Sequence, residues 1–375
     1  MLRFTQSTPS CRTIPVPCLH YRCGLLANGG RDNKVPQLTT QFNEALSNVE
    51  PTAEDKTHAP QAHQAVRDAL VADAALSEWS PNPVLIGSYK RYVSIRRMKD
   101  VDLFARLEDL PDGVEPDELL EEFERVLKAE FGRERVARQA RSLQVSFPDL
   151  DGLYVDAVPA RPWTSPYGEQ AWQLPKRGEG GWQATNPERL TELTSELNAE
   201  FNNLYVPVVK LLRQTRRSLM GDRKPGGLTI EIAAALAFQS GDVSGATISD
   251  LYVSALCKTG DLLHNAFVRG LGLPDPTLAG ELLSVRGEDA DKWTLATAFV
   301  EAATRAQEAL DADDDEKCIA AKVFRDILGK AVDDQGAQDY VFPMPDDCNL
   351  DGTRKAFTRV RAGDAQVAGG DRRFG

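Results

Sequence analysis

Val84-Leu85-Ile86-Gly87-Ser88-Tyr89-Lys90-Arg91, followed by Lys99-Asp100-Val101-Asp102-Leu103-Phe104, is the stretch whose reading decides the fold. Val84 to Ile86 is a short apolar, β-prone run ending at Gly87, where the missing Cβ permits a sharp turn and the close approach of a phosphate. Ser88 offers that phosphate a hydroxyl and a backbone N–H. In the second stretch polar and apolar residues alternate, so in a strand Asp100 and Asp102 share one face while Val101 points into the core. Two such carboxylates repel each other. Unless one takes up a proton, a cation belongs between them, and all-oxygen ligands suit Mg²⁺ bridging to a nucleoside triphosphate. Solvated strands also carry D-x-D, but here the preceding strand, the Gly-Ser turn and the apolar neighbours imply the chemistry of nucleotidyl transfer.

Two metal ions need a third acid. Asp156 in Leu153-Tyr154-Val155-Asp156-Ala157-Val158 is the candidate, because a carboxylate inside an apolar strand is costly without a metal or a partner. An edge-strand aspartate facing water is the alternative. Asp149 and Asp151, just upstream, read as loop residues.

These motifs resemble the DNA polymerase β-type nucleotidyltransferase superfamily. Within it the chain is most similar to the bacterial CD-NTases, relatives of oligoadenylate synthase and cyclic GMP-AMP synthase that make cyclic oligonucleotide signals in anti-phage (CBASS-type) defence. The resemblance covers about 35–345. It includes an N-terminal helix pair (Phe42 to Leu46 and His63 to Leu70), the W-x-x-T-N-P segment Trp182 to Pro187, and Val209-Lys210-Leu211-Leu212-Arg213 on a long helix. A final helix containing Phe324-Arg325-Asp326-Ile327-Leu328-Gly329 completes it. The resemblance implies that Asp100, Asp102 and Asp156 are catalytic metal ligands for two Mg²⁺ ions, with Mn²⁺ as a substitute. It also implies that Ser88 and Lys210 hold the β- and γ-phosphates. The chain departs from the family at Ser94, where a threonine is frequent, and at Gly227, where relatives often place a serine four residues before the helix glutamate, here Glu231. Gly227 can still present a backbone N–H to a phosphate. Ribonucleoside triphosphates are the implied substrates, with a regulatory protein and a downstream cyclic-nucleotide effector as implied partners.

Composition bounds the alternatives. The chain of 375 residues is long enough for two lobes around a cleft, and no apolar stretch approaches the length of a membrane span. A net charge of −12 argues against stable nucleic-acid binding, which rests on clustered Lys and Arg. Two basic runs, Lys90 to Lys99 and Arg213 to Lys224, fit triphosphate binding, the second equally a solvated face. Cys257, Cys318 and Cys348 are scattered, a usage that fits a reducing cytoplasm without a disulfide framework. Cys11, Cys18, His20 and Cys23 lack the paired spacing of zinc sites, and the first 34 residues read as a disordered extension or an upstream start. None of the four histidines belongs to a Ser/His/Asp arrangement.

The expected organisation is an extension at 1–34, a catalytic lobe with N-terminal helices at 35–185, a helical lobe at 186–345 and a flexible tail at 346–375. Pro162 to Gly181 reads as loop, and helices are expected at Pro116 to Phe131, Asn198 to Leu219, Leu228 to Gln239, Ile248 to Phe267, Trp293 to Leu310 and Glu316 to Val332. The fold class is a bilobed α+β nucleotidyltransferase with a twisted mixed sheet and a nucleotide cleft between the lobes. A linear oligonucleotide synthase, or an enzyme that modifies a tRNA or protein, would share the same catalytic residues. So would an inactive interaction protein, against which the intact set of three aspartates argues.

Overall fold

The computed structural model describes residues 38–96, 99–176, 181–332 and 337–356. The expected N-terminal extension with its cysteines, and 357–375, lie outside them. The chain opens with helices α1 (Thr39–Val49), α2 (Ala53–Ala72) and α3 (Ala74–Ser77). Thr52 and Asp55 cap α2 reciprocally, each side chain accepting the other's backbone N–H. Strand β1 (Pro81–Ile86), the single turn α4 (Gly87–Lys90), β2 (Asp100–Leu107) and α5 (Pro116–Phe131) follow, then β3 (Val136–Arg138), β4 (Leu143–Phe147) and β5 (Leu153–Thr164).

The sheet is mixed, in the order β1-β2-β5-β4-β3, with β2 and β5 parallel and the other neighbours in that order antiparallel. Period-two alternation explains its layering. Val101, Leu103, Ala105 and Leu107 of β2 and Leu153, Val155 and Ala157 of β5 are buried together with α2 and the apolar stripe of α5 (Leu119, Leu120, Phe123, Val126, Leu127). Asp100, Asp102 and Asp156 fall at the alternate positions, on the face that these helices do not cover.

The expected loop at Pro162 to Gly181 is instead largely strand: β5 continues to Thr164 and pairs with β6 (Gln170–Lys176), which pairs with β7 (Gly181–Thr185). Proline argues against central strands, but an edge tolerates it, and Pro162 sits opposite Trp172 near the end of β5. Trp172 is held by Phe104 edge-on at 5.9 Å and by Glu188, which accepts its indole N–H at 3.0 Å.

Helices α6 (Pro187–Glu200), α7 (Tyr205–Met220), α8 (Gly227–Gln239), α9 (Ile248–Phe267), α10 (Asp289–Asp311) and α11 (Lys317–Leu328) share a second core. The helix expected from Asn198 is two helices, because Asn202 and Asn203 take left-handed φ values of 51° and 64° and break it. The Asn198 side chain then accepts the Val206 N–H at 3.0 Å near the start of α7. The last helix stops at Leu328 rather than at Val332: Gly329, at φ 60°, terminates it, and Lys330–Val332 forms β8, paired with β9 (Gln338–Tyr340).

Helix α1 was expected in the catalytic lobe, but it packs in the helical core. Phe42 lies 4.9 Å from Phe324, 5.1 Å from Phe342 and 5.9 Å from Tyr252, an aromatic cluster that only the second core supplies. The tail expected from 346 is tied down as far as Lys355. Cys318 and Cys348 form a disulfide, Asp347 accepts from Lys317 at 2.9 Å, and Lys355 N donates to Asp347 O at 2.8 Å. The expectation of unpaired cysteines is corrected accordingly; residues 30 apart in sequence meet because the segment folds back on α11. Among the described residues no helix is long and apolar enough to cross a membrane.

Candidate active site

Strand register assembles the site. Ile86 at the end of β1 lies opposite Asp102, and Asp102 lies opposite Asp156 of the parallel strand β5, so the turn after β1 is delivered beside the carboxylates. Gly87 has φ 75°, and a Cβ there would run into the Asp102 carboxylate. Glycine is therefore required twice over, for backbone conformation and for space. Ser88 follows in the turn; its carbonyl accepts from Val93 N at 3.0 Å and Ser94 N at 3.2 Å, and its hydroxyl pairs with the Ser94 hydroxyl at 3.0 Å. A hydroxyl at position 94 thus steadies Ser88, which explains how serine serves there.

The three aspartates crowd negative charge. Burial, then Asp100 and Asp156, raise Asp102 to about 7 against the pull of Arg91 and Arg213. Burial and Asp100 raise Asp156 to about 6, although Gln144 donates to it at 3.4 Å. Among the described residues no group of three or more His, Cys, Asp or Glu side chains is arranged to hold a metal ion. The donor set nevertheless fits divalent cations: hard oxygen ligands on one sheet face, carrying negative charge that the nearby arginines offset only in part.

These residues line a cleft of about 460 Å³. Its wall includes Ile86, Gly87, Ser88, Asp100, Asp102 and Asp156 from the sheet side, and Arg213, Gly226, Gly227, Thr229 and Glu231 from α7 and α8. Thr185 and Asn186 of the W-x-x-T-N-P segment and Asp275, Thr277, Ser284 and Arg286 are also part of it. Gly227 opens α8, and the N–H groups at its start suit an anion, although that of Thr229 donates to Gly226 O at 3.2 Å. A Cβ on Gly227 would come within 2.9 Å of the Arg213 guanidinium, so glycine there makes room for an arginine.

Lys210 does not line this cleft. It is 9% exposed and paired with Glu50, just beyond α1. The cation that α7 delivers is Arg213, three residues on and hence almost one turn further along the helix. Sequence reasoning also passed over Glu231 as a site residue. Both its oxygens accept from Arg91, one of them at 3.1 Å from Nη2, and Arg213 Nη1 donates to it at 3.4 Å. The signal was present: an acid in the apolar run Ile230 to Phe238 needs a partner, the reasoning that singled out Asp156.

Residues 37–198 match the family model for the Second Messenger Oligonucleotide or Dinucleotide Synthetase domain, SMODS, a span that holds Gly87, Ser88 and all three aspartates. This segment is similar to the domain of that synthetase family. A cyclic AMP-AMP-AMP synthase from an Acinetobacter species is 29% identical over 312 residues, covering 78% of this chain and 85% of that one. The fold matches E. coli MS115-1 CdnC, solved with ATP and in a CdnC:HORMA-deltaN complex. Identity is 18% and 17%, TM-score 0.59 in both, with 78% of this chain and 97% and 96% of the other covered. It also matches the CD-NTase CdnG of Bradyrhizobium diazoefficiens in complex with GTP, at 15% identity, TM-score 0.60, and coverage of 77% and 94%. The likeness to these CD-NTases extends beyond the SMODS match into the helices that bring Arg213 and Glu231 to the cleft.

Proposed function

We propose that the protein is a divalent-metal-dependent synthase that joins ribonucleoside triphosphates into a cyclic oligonucleotide second messenger and releases pyrophosphate. The observation that carries this reading is the convergence of Asp100, Asp102 and Asp156 with the Gly87-Ser88 turn and Arg213 in one cleft. The similarity to the cyclic AMP-AMP-AMP synthase supports the cyclic product.

Asp100, Asp102 and Asp156 would hold Mg²⁺, two ions in the full complement, which supplies positive charge to the triphosphate and lowers the pKa of the attacking ribose hydroxyl. Ser88, Arg213 and the N–H groups at the start of α8 take the β- and γ-phosphates, an arrangement in which guanidinium and backbone donors match phosphate oxygens. Asp156, opposite Asp102 on the parallel strand, accepts the hydroxyl proton at its carboxylate. The ribose oxygen bonds to the α-phosphorus, the bond to the β-phosphate oxygen breaks, and pyrophosphate leaves. Asn186 is committed to the start of α6, where its side chain accepts from Arg189 N at 3.1 Å, which leaves Thr185 beside it to face the nucleotide. A role in anti-phage (CBASS-type) signalling belongs to this reading, with a cyclic-nucleotide effector downstream. The CdnC:HORMA-deltaN complex of a protein with the same fold supports a regulatory protein partner.

The test is incubation with the four ribonucleoside triphosphates and Mg²⁺ or Mn²⁺, then phosphatase and mass spectrometry, beside an Asp100→Asn/Asp102→Asn control. A phosphatase-resistant cyclic product, reduced at least about a hundredfold in the control, is expected. A product that phosphatase degrades would establish a linear synthase instead. Product only on supplying tRNA or protein would establish a transferase to that acceptor.

A further inference from the structure

Glu231 has the least exposed side chain of the charged groups around the cleft, at 1%, and Arg91 is 3% exposed. It takes a fork of two hydrogen bonds from Arg91, and one of the same oxygens serves Arg213. Two guanidinium groups thus share one carboxylate, leaving one unit of positive charge in excess. Both also act on Asp102, and Arg213 acts on Asp100 as well. Among the described residues neither Asp100 nor Asp102 takes a side-chain hydrogen bond or ion pair, while Arg213 Nε is buried with no partner. A buried guanidinium that loses its carboxylate seeks another, and the nearest negative charges are those of the aspartates.

We propose that Glu231 is a positioning residue whose charge holds Arg91 and Arg213 off Asp100 and Asp102, so that those carboxylates remain available to divalent cations and Arg213 to the triphosphate. This rests on the metal-dependent reading above and adds to it a residue that acts through the two arginines. Arg91 also connects the arrangement to the phosphate turn, since its N–H donates to Gly87 O at 3.3 Å. Glu231 therefore ties the turn of the sheet lobe to α8.

The experiment is direct titration of Mn²⁺ binding, by electron paramagnetic resonance without nucleotide, with thermal denaturation of each variant in parallel. Glu231→Gln keeps the shape and removes the charge. An arginine beside an aspartate competes with other cations by one to three orders of magnitude, so Mn²⁺ affinity is expected to fall about tenfold or more. Glu231→Gln/Arg213→Gln removes one of the two freed guanidinium groups as well and is expected to regain part of the lost affinity relative to Glu231→Gln, without regaining thermal stability. A merely structural glutamate would not produce that recovery. Should the glutamine variant not fold, Glu231→Asp keeps the charge but is too short for both arginines, with a loss of about threefold expected. Folded Glu231→Gln or Glu231→Asp with unchanged Mn²⁺ affinity overturns the proposal. If wild type and Asp102→Asn bind Mn²⁺ equally, the metal reading itself fails and the proposal falls with it, a result distinct from the first.

Discussion

Gly87 shows how one residue is constrained twice over. Its φ of 75° places it where a side chain is strained, and a Cβ would strike the Asp102 carboxylate. Gly87→Ala is expected to lower stability by about 1–3 kcal/mol and, by displacing Asp102, to abolish most product formation. Denaturation curves and product assays measure the two effects; a variant with wild-type values for both would refute the described turn. The need for glycine was legible from the sequence as that of a sharp turn after β1. Its second reason, the carboxylate packed against it, was not, because that neighbour lies fifteen positions away and is brought close by pairing of β1 with β2.

Helix α7 separates what an element's sequence determines from what its rotation decides. Its helicity and its basic residues were legible, but which cation enters the cleft was not. Lys210 and Arg213 are almost one turn apart on neighbouring positions of the helix surface, and packing against α1 and α8 sets Lys210 on Glu50 and Arg213 on Glu231. Lys210→Met is therefore expected to alter the KM for nucleotide less than about threefold, whereas Arg213→Met raises it at least about tenfold through loss of a charge-assisted contact. Steady-state kinetics on both decides, and the reverse order would return the phosphate role to Lys210. Helix α8 gives the same lesson: an acid in an apolar run announces a partner, but two arginines from separate elements are visible only once the chain has folded.

For the whole molecule, the charge collected at the cleft governs stability against pH. Asp102 is raised to about 7 and Asp156 to about 6, above the value near 3.9 of the unfolded chain, so the native state binds more protons between these limits. The metal-free protein should accordingly gain stability from the pair as pH falls from about 7.5 toward 5. His63 has the opposite sign: burial lowers its pKa, so its contribution is present above 6.5 and is lost as pH falls below that value. The difference in Tm between wild type and Asp102→Asn/Asp156→Asn isolates the carboxyl pair. Wild type is expected to rise relative to the variant on acidification, and Mn²⁺ to reverse that trend because it binds the ionised forms. A pH-independent difference would contradict the crowding of charge described here.

Local pattern determined most of the elements. Alternation set β2 and the buried start of β5, helical spacing set α5 and α9 to the residue, and the Gly-Ser turn with Asp100, Asp102 and Asp156 indicated the chemistry, because each depends on neighbours within a few positions. Tertiary structure decided the allegiance of α1, the strands β6 and β7, the Cys318–Cys348 bond, the exclusion of Lys210 and the clasp of Glu231 on two arginines. Those outcomes depend on which surfaces meet across long separations in sequence, and no periodicity within a single element records that meeting.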